Sequence, residues 1–121
     1  MGITPEPLSE AWLYHWSPST RRKSIGRYGL VPGKKSVCKV WNPPYVAFAL
    51  NPVNAWQMSG EIHPEIEQWD LWAVHSGDLE GGLELIPFDD GETREVRVYT
   101  KTPGRHVFFV GSRDQATGAR G

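Results

Sequence analysis

Residues 11–30 read AWLYHWSPSTRRKSIGRYGL, which is a short apolar run, a turn and a basic stretch that ends in glycine. The apolar run, 11–15, is rich in strand-forming residues and predicts a first strand that ends at His15. The turn SPST then supplies an N-cap for a short helix over about residues 20–28, which Gly29 terminates. The chain is therefore expected to begin with a strand followed directly by a short helix.

The rest of the chain alternates apolar runs with turn-rich connections. The pair Asn51-Pro52 predicts the start of a second helix, because asparagine caps a helix and proline suits its first position. Five further strands are predicted, over residues 45–50, 68–75, 83–86, 94–100 and 105–111, with the last of them mostly buried. This order of elements predicts an α+β domain with small, mostly antiparallel sheets and short helices.

Length and charge limit the kind of protein that the chain encodes. Its 121 residues are enough for one domain, with residues 1–10 as an N-terminal arm and 112–121 as a flexible tail. The net charge of −1 argues against a protein that coats duplex nucleic acid, although it leaves room for a local basic patch.

Cysteine and histidine usage excludes further classes. Cys38 is the only cysteine of the chain, so no intramolecular disulfide and no cysteine-based zinc site can form. The four histidines lack HExxH or HxH spacing, so no metal site is expected. No apolar run reaches the length of a membrane span and no signal sequence is evident, which predicts a cytoplasmic protein without a membrane partner.

Two positions carry side chains suited to a polar ligand. His15 and Ser17 follow the first apolar run, and both an imidazole and a hydroxyl can exchange hydrogen bonds with a ligand hydroxyl. A plain packing role for His15 is the alternative. The helix start at Asn51 offers unpaired N–H groups that could hold an anion.

The strand at 94–100 has one apolar and one polar face. Glu95 and Arg97 alternate with two valines, so they share the polar face. A carboxylate beside a ribose could accept a hydrogen bond from its 2′-hydroxyl and stabilise a cationic sugar transition state. A simple solvated face is the alternative.

Four segments in this order resemble the ADP-ribosyltransferase fold, and together they extend over roughly residues 11–110. The segments are LYHWSPSTRRKSIGRYGLVPGK (13–34), PPYVAFALNPVNAWQMSG (43–60), WDLWAVHSGDLE (69–80) and REVRVYTKTPGRHVFFV (94–110). The first is similar to the strand, helix and turn that open the fold. The last is similar to the strand pair that carries the catalytic glutamate of that family. Their spacing suits a compact bacterial or phage member.

The resemblance implies a cleft between two small sheets that binds NAD, with chemistry at the bond between nicotinamide and ribose. Glu95 would bond the 2′-hydroxyl of the nicotinamide ribose, and His15 would hold the ribose on the adenosine side. These two residues are the catalytic candidates. The predicted contacts to NAD are made by His15, Trp16, Ser17, Arg21, Arg22, Arg27, Tyr45, Phe48, Asn51 and Arg97. Arg21, Arg22 or Arg27 would meet the pyrophosphate, and Tyr45 or Phe48 would stack on nicotinamide.

The chain departs from the family pattern at three points. In the second segment, Ala47 stands in the middle of the strand where the family has a tyrosine, and Tyr45 lies two positions earlier. Trp16 stands where family members often have glycine, and Glu95 lacks the paired acid of arginine-modifying members. The expected function is a mono-ADP-ribosyltransferase-like enzyme whose acceptor is an unknown protein or nucleic acid. One alternative is an RNA 2′-phosphotransferase-like enzyme, which would use Arg21, Arg22, Lys23, Arg97 and Arg105. The other is a non-catalytic module of the same fold that binds a nucleotide or a partner.

Overall fold

The computed structural model describes residues 11–33, 45–60, 63–79, 83–87 and 94–114. These residues form β1 (Trp12–Pro18), α1 (Arg22–Tyr28), β2 (Val46–Ala49), α2 (Pro52–Gln57), β3 (Gln68–His75), β4 (Leu83–Pro87), β5 (Arg94–Val98) and β6 (Phe108–Asp114). Short 3₁₀ turns precede α1 at Ser19–Arg21, follow β3 at Ser76–Asp78 and precede β6 at Gly104–His106.

The strands form one antiparallel sheet in the order β4-β5-β2-β1-β3-β6. This confirms the predicted α+β class with antiparallel pairing. The centre of the sheet is its weakest seam: β1 pairs with β3 over its full length, from Trp12 to Pro18, but meets β2 at the single pair Tyr14 and Ala49. The sheet is therefore two three-stranded halves that touch at one point and separate beyond it.

The main core lies on the face of the sheet that α1 covers. The four central strands each contribute fully buried side chains to it: Leu13 from β1, Phe48 from β2, Val74 from β3, and Val96 and Val98 from β5. Ile25 is the buried residue of α1 that joins this cluster. The alternating apolar residues that the sequence shows in β5, Val96 and Val98, are therefore the ones that are buried in this core.

Local signals fix the two helices. Asn51 caps α2 as predicted, since its side-chain oxygen accepts from the backbone N–H of Asn54 at 2.8 Å, and Pro52 occupies the first turn. α1 ends at Gly29, whose φ of 84° and ψ of −164° are a backbone conformation that essentially only glycine adopts.

Two expectations about the ends of elements are wrong. β1 does not end at His15 but continues to Pro18, because β3 pairs with it along that whole length. The SPST turn does not cap α1: Arg21 is at the N-cap without a side-chain bond, and the hydroxyl of Ser19 donates to Asp70 instead, at 2.7 Å. A partner 51 residues away therefore outcompetes the local cap.

The last strand also differs from its prediction. β6 begins at Phe108 and ends at Asp114, so residues 112–114 of the predicted tail are part of the sheet. It is an edge strand and is mostly exposed, with Phe109 at 49% and Val110 at 53% of their accessible area, whereas a mostly buried strand was expected.

Several expectations lie outside the described residues. These are the arm at 1–10, the remainder of the tail at 115–121 and Cys38. Within the described part of the chain, neither α-helix is long and apolar enough to cross a membrane.

Candidate functional site

The two halves of the sheet enclose a cleft of about 730 Å³ where β1 and β2 separate. β1 contributes His15, Trp16 and Ser17 to its lining, while Tyr45, just before β2, and Glu95 of β5 line it from the other half. Five of the residues that the sequence singles out are thus brought together from three separate segments of the chain. Arg21, in the turn before α1, lines the cleft as well.

His15 joins the two halves at the point where they begin to separate. Its Nδ1 lies 2.8 Å from the carbonyl oxygen of Ala47 on β2, so a side chain bridges strands whose backbones no longer pair. Because a carbonyl oxygen only accepts, Nδ1 carries the proton and Nε2 of the neutral ring is an acceptor. Burial lowers the pKa of His15, which favours this neutral form. The ring can therefore accept a hydrogen bond from a ligand hydroxyl.

Glu95 lies level, across the sheet, with the single residue pair that joins β1 to β2. Ala49 pairs with Tyr14 on one side and with Glu95 on the other. Two strand spacings, about 10 Å, therefore separate the backbone of Glu95 from that of Tyr14, the neighbour of His15. The carboxylate of Glu95 is buried and faces the cleft, which places a negative charge near the apex of the cleft.

Arg97 does not line the cleft but holds two residues that do. Its Nη2 donates to Oε1 of Glu95 at 3.2 Å, and its guanidinium lies 4.4 Å from the ring centroid of Tyr45. Tyr45 also meets Tyr99 edge to face, at 5.7 Å between ring centroids. Arg97, predicted to contact NAD, is therefore placed as a residue that orients the carboxylate and the ring.

Trp16 forms a wall of the cleft together with α2. Its Nε1 donates to the carbonyl of Pro52 at 3.0 Å, and its ring meets Trp56 edge to face at 5.1 Å. Trp56 in turn contacts Trp69 at 5.9 Å. The bulky residue at the position where glycine was expected from the resemblance is thus fixed against a second helix and reshapes this side of the cleft.

The wall between α2 and β3 was not anticipated from the sequence. Met58, Ser59, His63, Glu65, Ile66 and Trp69 all line the cleft. The imidazole of His63 is stacked on Trp69, with 6.5 Å between ring centroids, and its Nδ1 lies 3.4 Å from Oε2 of Glu65. No local motif marks these residues, which reach the cleft because α2 and β3 flank it.

Arg22 is engaged in an ion pair outside the cleft. Its Nε and Nη2 donate to the two oxygens of Asp70 at 2.8 and 2.7 Å, and Ser112 of β6 donates to the same carboxylate at 2.8 Å. The bidentate bond from Arg22 is the main cause that lowers the pKa of Asp70 to about 2. This network joins β3, β6 and α1, so a pyrophosphate role for Arg22 is not what its geometry supports.

Three other predicted ligand contacts also fall outside the lining of the cleft. Phe48 is fully buried in the core, where its ring centroid lies 5.8 Å from that of His15, so it cannot stack on a ligand. Asn51 caps α2 and Arg27 lies over the ring of Tyr28 at 5.3 Å. Of the two aromatic candidates for stacking, only Tyr45 faces the cleft.

The described residues contain no group of three or more metal-ligating side chains. The chain matches no model of a protein family, and a search of curated proteins finds no similar sequence. The assignment of function therefore depends on the cleft itself.

Proposed function

We propose that the protein is a mono-ADP-ribosyltransferase-like enzyme that binds NAD in the cleft and cleaves the bond between nicotinamide and ribose. The observation that carries the proposal is the convergence of His15, Tyr45 and Glu95, from three different segments of the chain, on one cleft at the seam of the sheet. They supply an imidazole nitrogen that can accept a hydrogen bond from a hydroxyl, an aromatic ring and a carboxylate. They match the groups of the molecule to be bound: ribose, nicotinamide and a developing cation.

The proposed reaction assigns each residue a step. The bond between C1′ and the nicotinamide nitrogen breaks, and its electron pair leaves with nicotinamide. Glu95 accepts a hydrogen bond from the 2′-hydroxyl and stabilises the positive charge that develops on the ribose. An oxygen or nitrogen of the acceptor then bonds to C1′ and releases its proton to solvent. Because Glu95 is buried, its charge acts through a medium of lower dielectric than water.

The other residues bind and orient. His15 Nε2 accepts from the second ribose, Tyr45 stacks on nicotinamide with Arg97 behind it, and Arg21 meets the pyrophosphate from the turn before α1. Trp16 and Trp69 close the cleft on the side of α2. The ion pair with Arg97 keeps the Glu95 carboxylate in one orientation before NAD binds.

The proposal is tested by measuring the release of nicotinamide from NAD by the purified protein. Glu95→Gln retains shape and removes charge, so release should fall by about 100-fold or more while NAD binding, followed by calorimetry, persists. The matched control is Glu84→Gln on the neighbouring strand β4, an exposed residue outside the cleft whose amide can still accept from Tyr99. An equal effect of both variants, or no release by the wild type, would contradict the proposal.

A non-catalytic nucleotide-binding module is the second candidate, and the ion pair between Glu95 and Arg97 favours it. A carboxylate already bonded to an arginine has less negative charge to offer to a cationic ribose. This candidate predicts NAD binding without release of nicotinamide, and no difference between Glu95→Gln and Glu84→Gln in the same assay.

A further inference from the structure

The small net charge conceals a strong segregation of charge along the chain. Residues 11–39 contain seven lysines and arginines and no acid, and residues 99–113 contain three and no acid. Residues 40–93, in contrast, contain ten acids and neither lysine nor arginine. A net charge of −1 is therefore the sum of two strongly charged regions.

The fold brings the two basic segments together. Leu30, just after α1, and Thr102 exchange backbone hydrogen bonds of 2.9 Å in each direction. Gly104 lies so close to the end of α1 that a Cβ there would be 2.7 Å from the carbonyl oxygen of Gly26. Five exposed cations thus form what we call the basic ridge: Arg21, Lys23, Arg27, Lys101 and Arg105.

The ridge lacks internal compensation. Among the described residues, no acid forms an ion pair with any of its five members, in contrast to Arg22 and Arg97, which are bonded to Asp70 and Glu95. Lys23 and Arg27 are four residues apart on α1, a spacing at which like charges repel. A polyanion bound along the ridge would relieve this repulsion.

The surroundings of the ridge favour a nucleic acid strand over other polyanions. Tyr28 is half exposed next to Arg27 and offers a ring on which a base can stack. Lys23 and Arg27 are about 6 Å apart along the helix axis, close to the step between successive phosphates of an extended strand. A base within a duplex would be out of reach of the cleft, so the strand must be single.

The basic ridge is continuous with the wall of the cleft that α1 forms, but not with the opposite wall. Arg21 belongs to both, and Ser24 within α1 and Val31 shortly after it line the cleft too. The opposite wall has Glu65, which is exposed and repels phosphate. An anionic strand is thus attracted along α1 and repelled from the wall between α2 and β3.

We propose that the basic ridge binds a single-stranded nucleic acid and positions one of its nucleotides in the cleft as the ADP-ribose acceptor. The acceptor role rests on the proposed function, whereas strand binding does not. A nucleophilic oxygen or nitrogen of that nucleotide bonds to C1′ of the ribose as nicotinamide leaves with the electron pair, and it gives up its proton to solvent.

Strand binding is tested by titrating the full chain, without NAD, into fluorescently labelled RNA or DNA strands of about 15 nucleotides and measuring the fluorescence anisotropy of the strand. A duplex of the same sequence, polyglutamate and phosphatidylserine vesicles serve as the other polyanions. The double variants Lys23→Gln/Arg27→Gln and Lys101→Gln/Arg105→Gln each remove two ridge charges. Arg113→Gln is the control, since Arg113 lies over Trp56 at 3.8 Å, away from the ridge.

Each ridge variant should reduce the slope of log affinity against log salt by about 1.4, because each phosphate contact to a single strand contributes about 0.7. Arg113→Gln should leave the slope unchanged. Preference for RNA or for DNA identifies the type of strand. Equal slopes for all variants, or equally tight binding of the duplex, polyglutamate or vesicles, would overturn the proposal.

The two proposals fail separately. Nicotinamide release without strand binding contradicts the ridge and leaves the NAD site standing. Strand binding without nicotinamide release contradicts the transferase and leaves the ridge standing.

Discussion

Asp70 is the charge on which the contact between β3, β6 and α1 depends. Its carboxylate is fully buried and accepts from Ser19, Arg22 and Ser112. Buried charges are stable only when such bonds replace their hydration. The same network explains why Ser19 does not cap α1 and why Arg22 is unavailable to a ligand. A sequence pattern cannot reveal either fact, since the partners are far apart along the chain.

Asp70→Asn should lower the free energy of unfolding by about 2 kcal/mol, because the ion pair is lost while shape is retained. The half-exposed Arg22 can return to water, which keeps the loss below that of a fully buried pair. The matched control is Asp78→Asn, whose only ion pair in the described residues is a contact of 3.8 Å with His106. Urea denaturation measures both, and equal losses would contradict the assigned role of Asp70.

The same carboxylate predicts how stability depends on pH. Its pKa falls from 3.8 to about 2 on folding, so its contribution is complete above its unfolded value and is lost as pH falls from about 4 to 2. After allowance for the solvent around Arg22, the contribution is about 1–2 kcal/mol. The stability difference between wild type and Asp70→Asn should therefore shrink over that interval. A difference that is constant from pH 5 to pH 2 would contradict this account.

The end of α1 depends on a glycine that another segment overlies. Gly29 has a φ of 84°, and a Cβ there would lie 1.8 Å from the carbonyl oxygen of Thr102. The backbone of residues 102–104, which precede β6, thus occupies the space that a side chain at position 29 would need. This contact holds α1 against the segment that carries Lys101 and Arg105, so it also shapes the basic ridge.

Gly29→Ala should destabilise the protein by about 3 kcal/mol or more, because both the backbone conformation and the contact with Thr102 forbid a side chain. Gly26→Ala, one turn earlier on the same helix, meets no atom within 4 Å and should stabilise it by up to about 1 kcal/mol. Thermal melts of the two variants test this pair of opposite signs. A comparable loss in both would show that α1 is not packed as described.

Elements that local sequence signals mark were predicted well, whereas features that depend on contacts between distant parts of the chain were predicted poorly. The start of α2 at Asn51-Pro52 was predictable because capping involves only neighbouring residues, and β3 was predicted with its observed bounds, Gln68–His75. β6 was expected to be buried because its sequence is apolar. Its place at the edge of the sheet, which the sequence does not reveal, leaves Phe108 and Phe109 exposed instead.

The cleft follows from how the strands are ordered. β1 lies between β2 and β3 but uses its hydrogen bonds almost entirely on β3, so the sheet opens on the side of β2. His15 and Glu95 were singled out from the sequence, and the structure places both in this opening. The wall formed by His63, Glu65 and Trp69 was missed, because it depends on α2 and β3 flanking the cleft.

The most direct test of the proposed NAD site is a titration of the ¹⁵N-labelled wild-type protein with NAD, followed by amide chemical shifts. Binding in the cleft should shift the amides of His15, Ser17, Arg21, Ala47 and Glu95, which line it from both halves of the sheet. Amides of β6 from Phe108 to Val110, on the far edge, should remain in place. The absence of shifts at high NAD concentration, or shifts that cluster on β6 rather than at the seam of the sheet, would contradict the account.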